Sequence, residues 1–208
     1  MAKRICIYII GVFTLALGLV LNSKTGLGVS AILSVPFSLS TFTSLSFGTW
    51  TSILYIAFVI IQLVILRKAD WLVILQFPFS IVFGRIIDLY NAILKIRDPS
   101  LALSLILLAL AVFFTALGVV IMVSMKLIVN PADGFVGTVS SAVKKPFGTV
   151  KMMTDIGMIC ITVIICLLFP HKLVGIGLGT LVSAFGIGPM INILTAKLKQ
   201  TLCRMAGM

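Results

Sequence analysis

Long apolar runs, each free or nearly free of charge, are the feature that most constrains how this chain can fold. Six of them approach the length of a membrane-crossing helix: residues 5–21, 47–66, 71–94, 101–125, 150–169 and 173–194. Such a helix needs about 20 apolar residues. The chain is 61% hydrophobic and only 10% charged, whereas a soluble domain carries about 25% charged residues. We therefore predict an all-α integral membrane protein with membrane lipid as a partner.

The basic residues lie mainly in the short breaks between these runs. They give the chain a formal net charge of +11, which by itself is also compatible with nucleic-acid binding. Their placement is instead typical of loops that meet anionic lipid headgroups, so nucleic acid is not predicted as a partner. The distribution of Lys and Arg favours a multi-pass topology with a cytoplasmic N-terminus.

Two further stretches are interrupted by residues that break helices. Residues 26–46 are rich in Gly, Ser and Thr and contain Pro36, and residues 130–146 contain Pro131 and Gly134. The apolar part of the second stretch, between Asp133 and Lys144, is too short to cross a bilayer. We predict that both stretches are short broken or re-entrant segments.

An internal repeat is visible at an offset of 100 residues. It is carried by Val12-Phe13 with Val112-Phe113, Ala16-Leu17-Gly18 with Ala116-Leu117-Gly118, and Phe47-Gly48-Thr49 with Phe147-Gly148-Thr149. Three blocks in one register indicate duplication. We assign residues 1–98 to a first membrane repeat and residues 99–208 to a second, within one structural domain.

The number of crossings decides how the two repeats are related. Three crossings per repeat give a 3+3 inverted repeat, the construction of many secondary transporters. If the broken segments span the membrane, there are eight crossings and the repeats are parallel. The inverted arrangement places Arg67, Lys68 and Lys126 on the cytoplasmic side and fits the positive-inside rule better.

Several polar residues at membrane depth are candidate site residues, because a charge there costs about 2.5–3.5 kcal/mol on insertion scales. Asp133 and Asn130 stand where a short helix can begin, and either can cap it. Half-helix ends of this kind approach the substrate in inverted-repeat transporters. We predict that both bind substrate, although a purely structural helix cap is the alternative.

A second set of candidates comes from corresponding parts of the two repeats. Arg85 and Asp88 are three residues apart and share a helical face, and Asn192 takes the place of Asp88 in the second repeat. If both faces line one cavity, these side chains can hold an anionic or zwitterionic ligand. An interfacial ion pair is the alternative.

Lys151 and Asp155 form a third set. They are four residues apart on one helical face, and Tyr55 is the repeat counterpart of Asp155. They are candidates for ion or proton coupling, and a self-neutralised pair at the bilayer edge is the alternative.

The chain resembles the YczE/YyaS/YitT group of bacterial multi-pass membrane proteins over nearly its whole length. The residues that carry the resemblance are Thr25-Gly26-Leu27-Gly28, Ser46-Phe47-Gly48-Thr49, Gly84-Arg85-Ile86-Ile87-Asp88-Leu89, Asp133-Gly134, Phe147-Gly148-Thr149, Gly177-Leu178-Gly179-Thr180 and Ile187-Gly188-Pro189. The resemblance implies location in the bacterial inner membrane. It departs at residues 29–33, which lack the acidic turn frequent in that group, so a paired acidic site is not implied.

These observations together predict a small secondary transporter or permease for a small polar or charged metabolite, with its site between the repeats. The first alternative is a non-transporting membrane partner that binds or stabilises another protein, and the second is a passive channel. No nucleophile–base pair, metal-ligand cluster or phosphate-binding loop is visible in the sequence. We therefore predict neither an enzyme nor a cofactor or metal site. The small size of the chain favours a homodimer.

Overall fold

The structure, a computed structural model, describes residues 1–169 and 174–207. Over these ranges the chain is helical and contains no strand. The helices are α1 (Ala2–Ser23), α2 (Ala31–Phe42), α3 (Phe47–Leu66), α4 (Trp71–Ile74), α5 (Gln76–Ile93), α6 (Leu101–Ser124), α7 (Pro131–Val143), α8 (Phe147–Leu168) and α9 (Leu178–Ala206).

Six segments of the described chain are long and apolar enough to cross a membrane: α1, α3, α4 with α5, α6, α8 and α9. This is the make-up of a multi-pass membrane protein, and the prediction of an all-helical fold with six such segments is confirmed. The predicted start of the sixth segment at residue 173 lies outside the described residues. The helix α9 continues past the predicted end of this segment at residue 194 as far as Ala206, and so includes the basic tail.

The third predicted span, residues 71–94, is confirmed as the candidate span Trp71–Ile93, which has one interruption that was not predicted. The chain forms α4, interrupts at Leu75 and resumes as α5. Pro78 supplies the physical reason, since its nitrogen carries no hydrogen to donate to the carbonyl four residues earlier and its ring crowds that carbonyl. Asp70 begins α4 as its N-cap, with its carboxylate accepting a 2.9 Å hydrogen bond from the Leu72 amide.

The two interrupted stretches of the sequence each contain one short helix. With 12 residues in α2 and 13 in α7, these helices are roughly 18–20 Å long at about 1.5 Å per residue. A bilayer core is about 30 Å thick, so neither helix is long enough to cross it.

The helices divide into two compact units. One is built from α1, α6 and α9, and the other from α2, α3, α4, α7, α8 and most of α5, whose last residues, from Leu89 onward, belong to the first unit. Each unit draws helices from residues 1–98 and from residues 99–208. The division of the sequence into two membrane repeats stays a prediction.

In the α1–α6–α9 unit, α1 and α6 run antiparallel and approach closely at glycines. A Cβ atom built on Gly11 meets the Met122 side chain, and one built on Gly18 meets the Thr115 backbone. Arg4, at the start of α1, donates hydrogen bonds to the carbonyls of Met125 and Lys126 at the end of α6, the latter at 2.7 Å. Small residues permit this close approach of helix backbones in membranes, and a cation at a helix C-terminus is favourable.

In the α2–α3–α7–α8 unit, each short helix packs on a long helix from the other half of the chain. α2 packs on α8, where the Ser34 and Thr162 hydroxyls are 2.7 Å apart. α7 packs on α3, where Phe58 and Phe135 stack with ring centroids 4.5 Å apart.

Contacts recur at positions 100 residues apart within each unit. Gly18 faces Thr115, and the corresponding exchange places Gly118 against Leu15. In the other unit, the Ser34 hydroxyl bonds to the Thr162 hydroxyl. The positions 100 residues away from these two, Gly134 and Gln62, are also in contact, since a Cβ added at Gly134 would lie 2.8 Å from the Gln62 side-chain oxygen. The offset found in the sequence is thus also an offset between contacts.

Candidate functional site

The N-terminus of α7 is the starting point of the candidate site. Asn130 is its N-cap, and its Oδ1 accepts a 2.9 Å hydrogen bond from the Ala132 amide. Pro131 occupies the first helical turn, where its missing N–H costs nothing. The local sequence therefore starts a helix at this point, and it places Asp133 in the first turn.

Tyr55 of α3 is the first partner of this helix end. The Asn130 side-chain amide donates to the Tyr55 hydroxyl oxygen over 3.5 Å, a long hydrogen bond between two buried side chains. The Tyr55 side chain is 2% exposed, and its ring stacks on Phe83 with centroids 5.8 Å apart. The tyrosine is thus held by packing, with its hydroxyl at the start of α7.

Lys151 and Asp155 of α8 form the predicted ion pair. The Lys151 ammonium donates to both carboxylate oxygens of Asp155, at 2.5 and 2.7 Å. The Asp155 side chain is 12% exposed and that of Lys151 33%. The lysine charge is therefore engaged by a carboxylate on its own helix.

Asp133 lies close enough to this pair and to the Tyr55 hydroxyl to interact with them electrostatically. Within residues 1–169 and 174–207, no group donates a hydrogen bond to its half-buried carboxylate. Burial raises the pKa of the Asp133 carboxyl above its ordinary value, the Lys151 charge opposes the rise, and the Asp155 charge adds to it. α7 is not one of the six candidate spans.

We call these five residues the α7 polar cluster: Tyr55, Asn130, Asp133, Lys151 and Asp155. Four of them were predicted as site residues from the sequence, and the structure brings those four together. Tyr55 was noticed only as the repeat counterpart of Asp155, and its role was missed. With all three charged groups ionised, the cluster carries a net charge of −1.

Two glutamine side chains support α7 from behind. The fully buried Gln62 amide donates to the Gln76 side-chain oxygen at 3.0 Å and to the Pro131 carbonyl at 3.4 Å. Gly134 packs directly on both amides, since an added Cβ would lie 2.8 Å from Gln62 and 2.9 Å from Gln76. A buried polar group must be hydrogen-bonded, and these bonds fix the start of α7 on α3. Glutamine inside apolar spans was the signal that could have revealed them.

Arg85 and Asp88 lie elsewhere in the same unit. Asp88 accepts hydrogen bonds from the Gly48 amide at 2.8 Å and from the Ser46 hydroxyl at 2.7 Å, at the N-terminus of α3. Arg85 is 4.0 Å from the Asp88 carboxylate and its side chain is 75% exposed. Among the described residues, Asp88 therefore binds a helix N-terminus and shares no hydrogen bond with the α7 polar cluster.

Asn192, the last predicted site residue, is an exposed residue of α9. It belongs to the other compact unit. Its assignment to a substrate site stays a prediction. No group of three or more potential metal-ligating His, Cys, Asp or Glu side chains occurs among the described residues.

The fold and the cluster define an all-helical, multi-pass membrane protein with a charged, largely buried polar site at the start of a short helix. Residues 2–196 match the model of a family of unknown function, DUF6198, so the chain belongs to that family. The family description contains no reference to the YczE/YyaS/YitT group, and that resemblance stays a prediction. No curated protein and no solved structure matches the chain.

Proposed function

We propose that this protein is a small secondary transporter, or permease, for a small polar or charged metabolite. The observation that carries the proposal is the Asp133 carboxylate, which has no donor among the described residues although it stands in a polar cluster at a helix start. Ionisable groups in membrane proteins are costly and mark ligand or ion pathways by default. A carboxylate without a protein partner is the group that a ligand can satisfy.

The proposed site lies between the two sequence repeats. Tyr55 comes from the first repeat, and the other four members of the α7 polar cluster come from the second. Tyr55 and Asp155 occupy corresponding positions, 100 residues apart. Secondary transporters bind substrate near such a repeat interface, where short helices begin and their N–H dipoles are unsatisfied.

The antiparallel packing of α1 and α6 supports an inverted arrangement of the repeats. These helices occupy corresponding positions, and Gly18–Thr115 and Leu15–Gly118 are the same contact with the partners exchanged. Equivalent helices that run in opposite directions are what an inverted repeat requires. In this proposal α2 and α7 are re-entrant, and movement of one repeat against the other opens the site alternately to each side.

A transport and binding screen with purified protein tests the proposal. Thermal stability is measured against a panel of small metabolites, and each stabilising compound is then tested for uptake into proteoliposomes. Asp133→Asn is expected to abolish both responses. Asp98→Asn is the matched control, because it removes the same charge at an exposed residue with a positive φ of 46°, which asparagine tolerates.

Two results would contradict the proposal. Transport that survives Asp133→Asn at wild-type rate would remove the site assignment. A folded protein that neither binds nor transports any metabolite, but co-purifies with another membrane protein at fixed stoichiometry, would favour the non-transporting partner. Flux that does not saturate with concentration would favour a passive channel.

We further propose an inner-membrane location with the N-terminus in the cytoplasm and a homodimeric state. In a variant without native cysteines, single cysteines are introduced at Lys24, Arg67 and Lys126. The inverted topology expects labelling by an impermeant thiol reagent from outside at position 24 and protection at positions 67 and 126. Labelling from outside at positions 67 and 126 would support eight crossings. The oligomeric state is measured separately, from the protein mass within the protein–detergent complex.

A further inference from the structure

The charge balance of the α7 polar cluster limits what a ligand can be. Lys151 already contacts both oxygens of Asp155, so its positive charge is not available to an incoming anion without breaking that pair. Asp133 supplies the remaining charge, which is negative. A second anion close to it would be repelled, and the repulsion is stronger in a partly buried site than in water. The cluster therefore disfavours anionic ligands.

The atoms around Asp133 suit an ammonium group better than a metal cation. An ammonium donates up to three hydrogen bonds, and the carboxylate and the Tyr55 hydroxyl oxygen can accept them. Hard metal cations take about six or more oxygen ligands, whereas the Asn130 side-chain oxygen is already bonded to Ala132.

We infer that the substrates are small organic cations with a protonated amine or quaternary ammonium group, bound at the Asp133 carboxylate in competition with a proton. This inference rests on the proposed transport function and narrows its substrate class. Without ligand, the carboxylate has no donor among the described residues, so binding a proton removes a charge that no hydrogen bond stabilises. A cation can then bind only as that proton leaves, which couples substrate to proton in opposite directions.

The other titratable groups that interact with Asp133 come from α3 and α8, two of the helices that pack on α7. They are Tyr55 on α3 and Lys151 and Asp155 on α8. Lys151 and Asp155 are bonded to each other, and Tyr55 is a neutral donor at physiological pH. Asp133 is therefore the group whose proton is exchanged when the ligand binds.

Thermal stability of the purified protein is measured with benzylamine, ethanolamine and putrescine hydrochlorides and with choline chloride, and sodium chloride and sodium acetate serve as controls. At least one organic cation is expected to stabilise the protein while both sodium salts do not. Its apparent affinity is expected to rise with pH, by at most tenfold per pH unit, over the range in which the Asp133 carboxyl is protonated in the free protein. Release of up to one proton per bound cation is measured calorimetrically in buffers of different ionisation enthalpy.

Asp133→Asn is expected to abolish the cation response, and Asp98→Asn is expected to retain it. Tyr55→Phe keeps the ring and removes the hydroxyl, so it tests the ammonium site even if Asp133→Asn fails to fold. It is expected to weaken binding of primary amines about tenfold, the loss expected from one hydrogen bond to a charged group.

The inference would be overturned if sodium acetate or sodium chloride stabilises the protein, or if none of the organic cations does. A cation response that survives Asp133→Asn would also overturn it. The same compounds are then added to proteoliposomes that contain a pH-sensitive dye. Binding without proton-coupled flux would retain the cation site and refute transport. Transport of an anionic or neutral metabolite would retain the transporter and refute the cation class.

Discussion

The close packing of α1 and α6 makes a quantitative prediction for Gly18 and Gly118. An added Cβ at Gly18 would lie 2.9 Å from the Phe114 carbonyl carbon and closer still to the Thr115 amide, and one at Gly118 would lie 2.6 Å from the Leu15 Cα. Ordinary carbon contacts are about 3.5–4.0 Å, so the helices must separate by roughly 1 Å. The obstacles are backbone atoms, which no side-chain rotation can move.

The expected cost follows from two opposing contributions. Overpacking a close-packed interface costs about 1–3 kcal/mol, and alanine gains about 1 kcal/mol over glycine in helix propensity. Because the obstacles are backbone atoms, the upper part of the overpacking range applies, about 2–3 kcal/mol. Gly18→Ala and Gly118→Ala are therefore each expected to destabilise the protein by about 1–2 kcal/mol. The double variant is expected to cost less than the sum, since one separation of the helices relieves both clashes.

The assay is thermal unfolding in detergent, and the reaction of a fluorogenic thiol dye with Cys166 reports the unfolded fraction. This cysteine is 1% exposed, and the other three cysteines are first replaced by alanine. Each single substitution is expected to lower the Tm by about 3–6 °C. Gly157→Ala in α8 is the control, because nothing lies within 4 Å of its added Cβ, and it is expected to be neutral or stabilising.

Equal effects of Gly18→Ala, Gly118→Ala and Gly157→Ala would refute the argument that α1 and α6 pack at these glycines. A large effect at Gly18 with none at Gly118 would refute the exchanged contact pair. A double variant that costs the full sum would show that the two clashes are relieved independently.

Three further predictions concern individual side chains, and unfolding in detergent measures each of them. Lys151→Met is expected to cost about 2–3 kcal/mol, less than the roughly 3–5 kcal/mol for breaking a fully buried pair, because the lysine side chain is one-third exposed. The double variant Lys151→Met/Asp155→Leu is expected to recover most of this loss. A double variant less stable than Lys151→Met alone would contradict the prediction. Asp88→Ala removes two hydrogen bonds at the start of α3 and is expected to cost about 1–2 kcal/mol; an unchanged Tm would show that Ser46 alone is sufficient. Asn130→Ala removes the cap of α7 and is expected to cost about 0.5–2 kcal/mol, while Asn130→Asp, which can still cap, should retain stability.

Local features of the sequence determined most of the secondary structure. Apolar runs of about 20 residues, free or nearly free of charge, predicted the six long segments. The sequence around Pro131 predicted that a short helix begins there, with Asn130 or Asp133 as its cap. The Lys151–Asp155 pair followed from helical spacing alone. Each of these depends on neighbours within one or two helical turns, and such information is present in the sequence. The interruption of the third span also has a local cause, Pro78. It was not predicted, because the surrounding residues form one continuous apolar run.

Only the tertiary structure decided which polar groups meet. Tyr55 and Asn130 are 75 residues apart, and their contact depends on how α3 and α7 pack. In the sequence Asp88 and Asp133 were both candidate ligand-binding residues, since both are carboxylates near membrane-crossing runs. The structure gives Asp88 two donors at the start of α3 and Asp133 none among the described residues. The free-energy cost of burying a charge depends on whether a group on another helix donates a hydrogen bond to it. Which groups meet in this way depends on helix packing, and no local pattern of residues specifies that packing.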